Sequence, residues 1–303
     1  MKSLIVGYGS IGQRHANVLS DVGHDVAVIS RRDIDHLQRF AELDQALEEF
    51  NPDYVIVASR TNEHRDDIKQ LSLYGFNGLL MIEKPVYDQG SEAIGGNFTR
   101  AKVAFNLRFH PALQRFRQII ATRDVHAVTA YVGSYLPDWR PDTDYRQSYS
   151  ADQQRGGGVL RDLSHELDYL TWIFGPWRRL SAIGGHFSTL DIDSDDVFSV
   201  LFETEQIASI SLNINYLDTT TRREVIALTA SGTVRLDLVA GTVETSNDVE
   251  TFTLARNDTY LAQHQAMTDG DDRIICDITE GLGTMRMIDA VEKASVQGIW
   301  IHA

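Results

Sequence analysis

Residues 2–30 read KSLIVGYGSIGQRHANVLSDVGHDVAVIS, and their pattern decides how the first third of the chain is built. Leu4, Ile5 and Val6 form an apolar run that stops at Gly7, Gly9 and Gly12. A helical spacing of apolar residues follows from Ile11 to Leu19, and a second apolar run covers residues 26–29. The order is strand, glycine turn, helix, strand. Each glycine has a task in such a unit: Gly7 permits the tight turn, Gly9 lets the backbone approach a pyrophosphate, and Gly12 lets helix and strand pack closely. Phosphates would sit on the helix N-terminus, where unpaired N–H groups and the helix dipole favour anions. Tyr8, Ser10 and Ile11 lie inside the same turn. Glycine spacing alone is a weak signal, but here the flanking strands support a dinucleotide site.

Working outward, 303 residues with 43% hydrophobic and 23% charged side chains describe an ordinary globular chain, long enough for two domains. The single cysteine, Cys276, cannot form an internal disulfide, which suits a reducing compartment and predicts a cytoplasmic protein. The first apolar residues already belong to the nucleotide-binding strand, so no signal peptide is expected, and no apolar run approaches the ~20 residues of a membrane span. A net charge of −15 repels polyanions and argues against nucleic acid as a partner. Small anionic ligands stay admissible, because a local arginine cluster can oppose the global field.

After the second strand come Ser30, Arg31 and Arg32. A carboxylate here would bind the ribose hydroxyls of NAD, whereas a serine followed by two arginines favours a 2′-phosphate and predicts NADP(H) over NAD(H). The alternative is a pair of solvated surface arginines. Residues 40–50 read as a helix ending before Asn51 and Pro52, and 54–58 as a buried strand delivering Ser59, Thr61 and Asn62 to the crevice, with Thr61 or Asn62 capping a helix over 64–74 that begins at His64. Residues 79–82 form another strand, which presents Glu83, Lys84 and Pro85 at its carboxyl end. A lysine at such an end is a candidate acid/base, or equally a surface lysine beside a turn proline. A strand over 103–106 precedes Arg108, and a helix starting at Pro111 follows. The predicted division is a Rossmann domain over residues 1–107 and an α/β domain over residues 108–303.

Beyond that point the pattern changes to runs of strands. Ile210, Leu212, Ile214 and Tyr216 alternate with Ser209, Ser211, Asn213 and Asn215. This period of two indicates a mostly antiparallel sheet with one open face, which must be wet or meet a partner subunit. The remaining chemistry lies in Leu136-Pro-Asp-Trp-Arg140, Tyr145-Arg146 and the stretch from Gly156 to Gly175. Three glycines there lead into an apolar-periodic helix, a second place for close backbone approach to a ligand. On a continuous helix at ~100° per residue, Asp162, His165 and Glu166 share one face and Asp168 points elsewhere. A histidine within reach of an aspartate is a usual general acid/base arrangement. No further His or Cys sits at a supporting spacing for a metal, so none is expected, and a purely structural histidine is the other reading.

The chain resembles the glucose-fructose oxidoreductase, inositol dehydrogenase and MocA family through Gly7–Gly12 with Arg14-His15, Thr61-Asn62-Glu63-His64, Glu83-Lys84-Pro85, Arg108, and Gly156 to Gly175. The string from Asp162 to Asp168, with Leu136–Arg140 and Tyr145-Arg146, is similar to a branch associated with bacterial surface-sugar clusters. The resemblance implies a Rossmann domain followed by an α/β domain whose large, mostly antiparallel, open-faced sheet makes a homodimer or homotetramer. It also implies a nicotinamide cofactor and a sugar, cyclitol or nucleotide-sugar substrate. Lys84 matches the lysine that contacts the reacting hydroxyl, Pro85 the proline whose preceding peptide is often cis, and Asp162 the helix aspartate. The family histidine stands four residues after that aspartate, where this chain has Glu166, with His165 one earlier, so either residue can hold the role. Arg108, Arg140, Tyr145 and Arg146 are candidate substrate-binding residues. The expected reaction is hydride transfer between a sugar carbinol carbon and nicotinamide. The rivals are a glycosidase using transient oxidation and elimination, and a non-catalytic nucleotide-sensing protein on the same fold.

Overall fold

The computed structural model describes residues 1–31, 34, 38–140 and 143–303. The predicted cofactor residue Arg32 lies outside the described residues. The chain divides into two compact units, Met1–Phe109 with Ala255–Gly283, and His110–Leu254 with Thr284–Ala303. The expected single boundary near residue 108 is thus only one of the crossings, because a late segment returns to the first unit.

In the first unit β1 (Lys2–Val6), α1 (Ser10–Asp21) and β2 (Asp25–Ile29) form the expected strand–turn–helix–strand. The chain continues through β3 (Gln38–Phe40), α2 (Leu43–Glu49), β4 (Tyr54–Val57), α3 (His64–Leu73), β5 (Leu79–Ile82) and β6 (Arg100–Val103). These strands lie parallel in the order β6-β5-β4-β1-β2-β3. The strand order reverses between β1 and β4, the switch point at which doubly wound sheets bind ligands. Three local expectations change. Gln38–Phe40 is a strand paired with β2, so the helix predicted from residue 40 starts at Leu43. Pairing with β5 places β6 at Arg100–Val103, and Asn106–Phe109 is a 3-10 turn. Thr61–Glu63 also forms a 3-10 turn, so that Glu63, and not Thr61 or Asn62, stands at the N-cap position of α3.

The second unit opens with α4 (Pro111–Ile120), proline in its first turn as predicted, then β7 (Val125–Gly133). The glycine-led segment forms two helices rather than one, α5 (Val159–Asp162) and α6 (His165–Phe174), separated at Leu163 and Ser164. Then follow β8 (Trp177–Gly185), β9 (Val197–Thr204), β10 (Ile210–Asn215), β11 (Arg222–Thr229), β12 (Gly232–Asp237), β13 (Thr242–Glu244) and β14 (Val249–Thr251). With Ile301–His302 they make a sheet in the order β14-β13-β12-β11-β7-β10-β9-β8, closed at the β8 edge by that last strand. The pairs are antiparallel except β7 with β10, which run parallel. Ile210, Leu212 and Ile214 are buried on one face. On the other, Ser211 donates to Thr129 and Asn213 to Ser199, and Leu201, Ile183 and Leu228 are exposed.

Late in the chain α7 (Asp258–Asp269) ends at left-handed Gly270. Ala266, Met267 and Ile275 enter the same core as Ile5, Ala16, Val28, Tyr54, Ile56 and Met81. Cys276–Asp277 then pairs antiparallel with β6. The final helix, α8 (Ile278–Gln297), starts with a reciprocal cap: Glu280 N–H donates to Asp277 and Asp277 N–H to Glu280 Oε2, at 2.9 and 3.0 Å. It stops before Gly298, at φ +65°, a left-handed position that favours glycine after a helix.

Candidate active site

The register of the first sheet sets the site. Val6 is level with Val57, and Val57 with Ile82, so Gly7, Ala58 and Glu83 emerge side by side at the carboxyl edge. Gly7 has φ +94°, and a Cβ there would lie 2.5 Å from Ser59 Cα and 2.7 Å from the Ala58 carbonyl oxygen. The turn after β1 therefore presses directly on the turn after β4. A Cβ on Gly12 would collide with the Gly7 carbonyl oxygen. Gly9 differs, with nothing within 4 Å of its Cβ position. This open ground lies at the start of α1, whose N-cap Gly9 brings no side chain to its first amides. Those amides suit a pyrophosphate, so the residues present fit a dinucleotide. Tyr8 and Ile11 pack partly against the core beneath.

Ser59 donates to Asp67 at 2.5 Å. Burial raises the Asp67 carboxyl to about 6, against the pull of the Ser59 hydroxyl. His64 is buried, its ring nitrogens 3.2 Å from the Val86 carbonyl and 3.3 Å from that of Ser59, and desolvation lowers its pKa. Instead of facing a ligand, His64 ties the Ser59 turn to the segment after Lys84. Thr61 is buried and Asn62 exposed. At the end of β2, Ser30 is buried and Arg31 exposed. Arg39 on β3 donates to the Ser30 carbonyl at 3.1 Å, a further cation that the sequence reading did not single out.

Glu83 is also interior, 6% exposed. Its Oε2 accepts the backbone N–H of Lys84 at 3.0 Å, and its Oε1 lies 2.8 Å from His15 Nε2. His15 Nδ1 is 2.8 Å from His264 Nε2, and His264 Nδ1 is 2.9 Å from the Tyr54 hydroxyl. Burial, then the neighbouring His15 and His24, hold His264 well below the usual imidazole pKa. Lys84 itself is partly exposed at the sheet edge, and the peptide bond between Lys84 and Pro85 is cis. His15 was read only as a family landmark, and His264 was missed because no local motif marks it.

Arg108 was expected to bind substrate, but it is 2% exposed and its Nη1 donates to Glu280 at 2.8 Å. It is an interior brace within the first unit.

In the second unit the glycine turn before α5 does not open to a ligand as expected. A Cβ on Gly157 would collide with the Tyr149 carbonyl, and one on Gly158, at φ +122°, with the Asp195 carboxylate. Asp195 accepts the Leu160 N–H at 3.0 Å, and burial raises its carboxyl to about 6. The glycines thus let the chain pack on itself. Because α5 and α6 are separate, the single-helix geometry for Asp162, His165 and Glu166 fails. Glu166 is fully buried, 2.8 Å from Arg223 Nε and 3.1 Å from the Tyr169 hydroxyl. Its pKa is raised by burial, with Arg223 opposing. His165 is 9% exposed and Asp168 2%. Asp162 accepts from the Tyr216 hydroxyl at 2.7 Å, and the Trp139 ring meets Tyr216 edge-on at 5.2 Å. Tyr216, the last apolar residue of the alternating run, thereby joins the Leu136–Arg140 segment to Asp162. Arg140 and Tyr145 line one small cleft with Leu136, Trp139 and Ser150. Arg146 is exposed and held by Asp144 through Nε and Nη2 at 2.8 and 2.7 Å.

A family model for an oxidoreductase family with an NAD-binding Rossmann fold matches residues 1–95, and a GFO/IDH/MocA C-terminal domain model matches residues 113–235. Over 135 residues the chain is 30% identical to an uncharacterised oxidoreductase of Synechocystis sp., covering 42% of this chain and 36% of that protein. The match therefore spans about a third of that relative's length. Among solved structures, GenD2 from gentamicin A biosynthesis, in complex with NAD, is similar at TM-score 0.82 and 21% identity, over 100% of this chain and 96% of that one. The WlbA dehydrogenase from Bordetella pertussis, in complex with NADH and UDP-GlcNAcA, is similar at 0.80 and 17%, over 100% and 97%. The UDP-N-acetylglucosamine 3-dehydrogenase GnnA from Acidithiobacillus ferrooxidans is similar at 0.77 and 18%, over 97% of each chain. At these identities the likeness establishes the fold. Among the described residues, no helix is long and apolar enough to cross a membrane.

Proposed function

Because the chain belongs to the Gfo/Idh/MocA family of oxidoreductases and carries its NAD-binding Rossmann fold, we propose that it is a dehydrogenase acting on a hydroxyl-bearing carbon of a sugar or nucleotide sugar. The observation that carries this reading is the edge of the first sheet. Gly7, Ala58 and Glu83 stand level there, open space lies over Gly9, and Lys84 follows directly. A nicotinamide cofactor, when bound, supplies the hydride acceptor or donor. The chain's part is to hold the dinucleotide on the α1 amides and to handle the proton of the reacting hydroxyl at Lys84 Nζ.

Asp162 and His165 are assigned to the proton relay on the family resemblance. His165 takes the histidine role in preference to Glu166, since Glu166 is committed to Arg223 and Tyr169. Arg140, Tyr145 and Arg146 are assigned to substrate recognition. Ser30 and Arg31, with Arg39 beside them, favour NADP(H) over NAD(H). The partly apolar open face of the large sheet is the proposed contact between subunits.

Incubating the protein with each cofactor and a panel of sugars and nucleotide sugars, while following nicotinamide absorbance and product masses, tests the reaction. Substrate-dependent reduction of the cofactor is expected. Glycoside cleavage without net absorbance change would instead assign redox-assisted elimination. A Lys84→Met variant that binds cofactor and turns over at the normal rate would remove Lys84 from proton transfer, and tighter binding of NADH than of NADPH would overturn the cofactor preference.

A further inference from the structure

The first unit contains a buried chain of four titratable side chains that the reaction itself does not call for. Tyr54, on β4, reaches His264 on α7, His264 reaches His15 on α1, and His15 reaches Glu83 at the end of β5. Tyr54, His15, His264 and Glu83 are respectively 0%, 0%, 2% and 6% exposed, so water cannot substitute for any of these contacts. Buried polar groups are stable only when their donors and acceptors match.

The matching has a direction. Glu83 receives the Lys84 N–H on Oε2. As a carboxylate it can only accept, so on Oε1 it takes a proton donor from His15 Nε2. A neutral His15 with its proton on Nε2 presents Nδ1 as an acceptor. His264 must then donate from Nε2, which leaves its Nδ1 to accept from the Tyr54 hydroxyl. The hydroxyl's other neighbour is the Met81 thioether sulfur at 3.3 Å, a weak acceptor beside an imidazole nitrogen. Every donor is used once, and the carboxylate is the single charge. The reversed direction needs either an imidazolium at His15 or a protonated Glu83. Among the described residues, the other titratable and charged groups about the two rings are His24, which bears on His264, and Tyr260, which meets His15 edge-on and carries the Arg14 guanidinium on its face.

We propose that Tyr54, His264 and His15 form a one-way hydrogen-bond relay that orients the Glu83 carboxylate, and that this carboxylate fixes the Lys84 backbone through its N–H. These four are positioning residues for Lys84, and the inference rests on the proposed role of Lys84 in the reaction. It gives the late segment around His264 a specific task, because that helix supplies the link between Tyr54 on β4 and His15 on the glycine-turn helix.

Nitrogen-15 NMR of the histidine rings in the wild-type protein near neutral pH reads the relay without any turnover. The expected spectrum shows both His15 and His264 neutral and protonated on Nε2. An Nδ1-protonated His264 or an imidazolium at His15 would overturn the proposal. In parallel, His264→Leu should lower kcat roughly 10- to 100-fold with little change in the KM for the cofactor. His264→Gln, which restores a donor facing His15 Nδ1, should recover most of that loss. If both variants fall equally while both stay folded by thermal melting, the relay has no positioning role. Failure of the Lys84 reading is seen separately, as normal turnover of Lys84→Met with the expected histidine tautomers intact.

Discussion

The Glu166 carboxylate lies 2.8 Å from Arg223 Nε with no solvent exposure of its own, and this contact separates Glu166 from its neighbour His165. Removing one partner of a buried pair leaves an uncompensated charge. Arg223 keeps 21% side-chain exposure, which softens that penalty. Glu166→Ala is therefore expected to destabilise the protein by about 3 kcal/mol in urea unfolding while the folded fraction retains turnover. His165→Asn is expected to do the opposite. Equal losses of turnover in the two variants would return Glu166 to the chemistry.

The three glycines of the first turn should respond differently to the same added methyl. Gly7→Ala places a Cβ against the Ser59 backbone at a left-handed φ, and Gly12→Ala drives one into the Gly7 carbonyl. Both should cost upwards of about 2 kcal/mol in stability. Gly9→Ala meets nothing, so thermal melting of the free protein should stay near wild type while nicotinamide cofactor affinity drops. A Gly9→Ala protein binding cofactor normally would place the pyrophosphate elsewhere.

Asp195 gives a pH dependence with a definite sign. Its carboxyl is raised from 3.8 to about 6 in the folded protein, first through burial. A raised folded value means that its contribution to stability is full below about pH 4 and is lost as pH rises through about 6. Asp195→Asn, which keeps an acceptor for the Leu160 N–H, should therefore gain on wild type across that window. The gain levels off above it at no more than about 3 kcal/mol. Parallel denaturation curves at pH 4 and pH 7 check this, and a constant difference between the two proteins would contradict it.

Arg108 is expected to behave as a structural residue. Arg108→Met removes the partner of Glu280 and the fork that fills an interior position, at an expected cost of about 2–4 kcal/mol. The KM for the sugar substrate should not move. A selective rise in KM with unchanged melting temperature would restore Arg108 to the substrate site.

Much of this fold could be read locally. The run from Leu4 to Ile29, the strand ahead of Glu83-Lys84 and the alternation from Ile210 to Tyr216 each carry their period within a few residues, and each forms the element that the period implies. What escaped reading depends on partners distant in the chain. Gln38–Phe40 is a strand because β2 is beside it. Arg108 is interior because Glu280 meets it, and Gly158 faces Asp195 instead of a ligand. The split between α5 and α6 broke an argument that assumed one continuous helix, and with it the shared face of Asp162 and Glu166. His264 has no motif at all, and the alternation that includes Tyr216 gives no sign of its bond to Asp162; these contacts span 249 and 54 residues.

The late return of the chain to the first unit bears on the order of folding. The parallel strands of that unit are all present by Val103, yet Ala266, Met267 and Ile275 belong to its core. Until they arrive, an emerging N-terminal segment exposes an apolar surface over Ile5, Tyr54 and Met81 and leaves His15 without its neighbour. On the ribosome the second unit's strands β7 to β14 therefore emerge before the first unit is complete. The nucleotide-binding half begins first, yet it waits for its last core residues until most of the other half has been made.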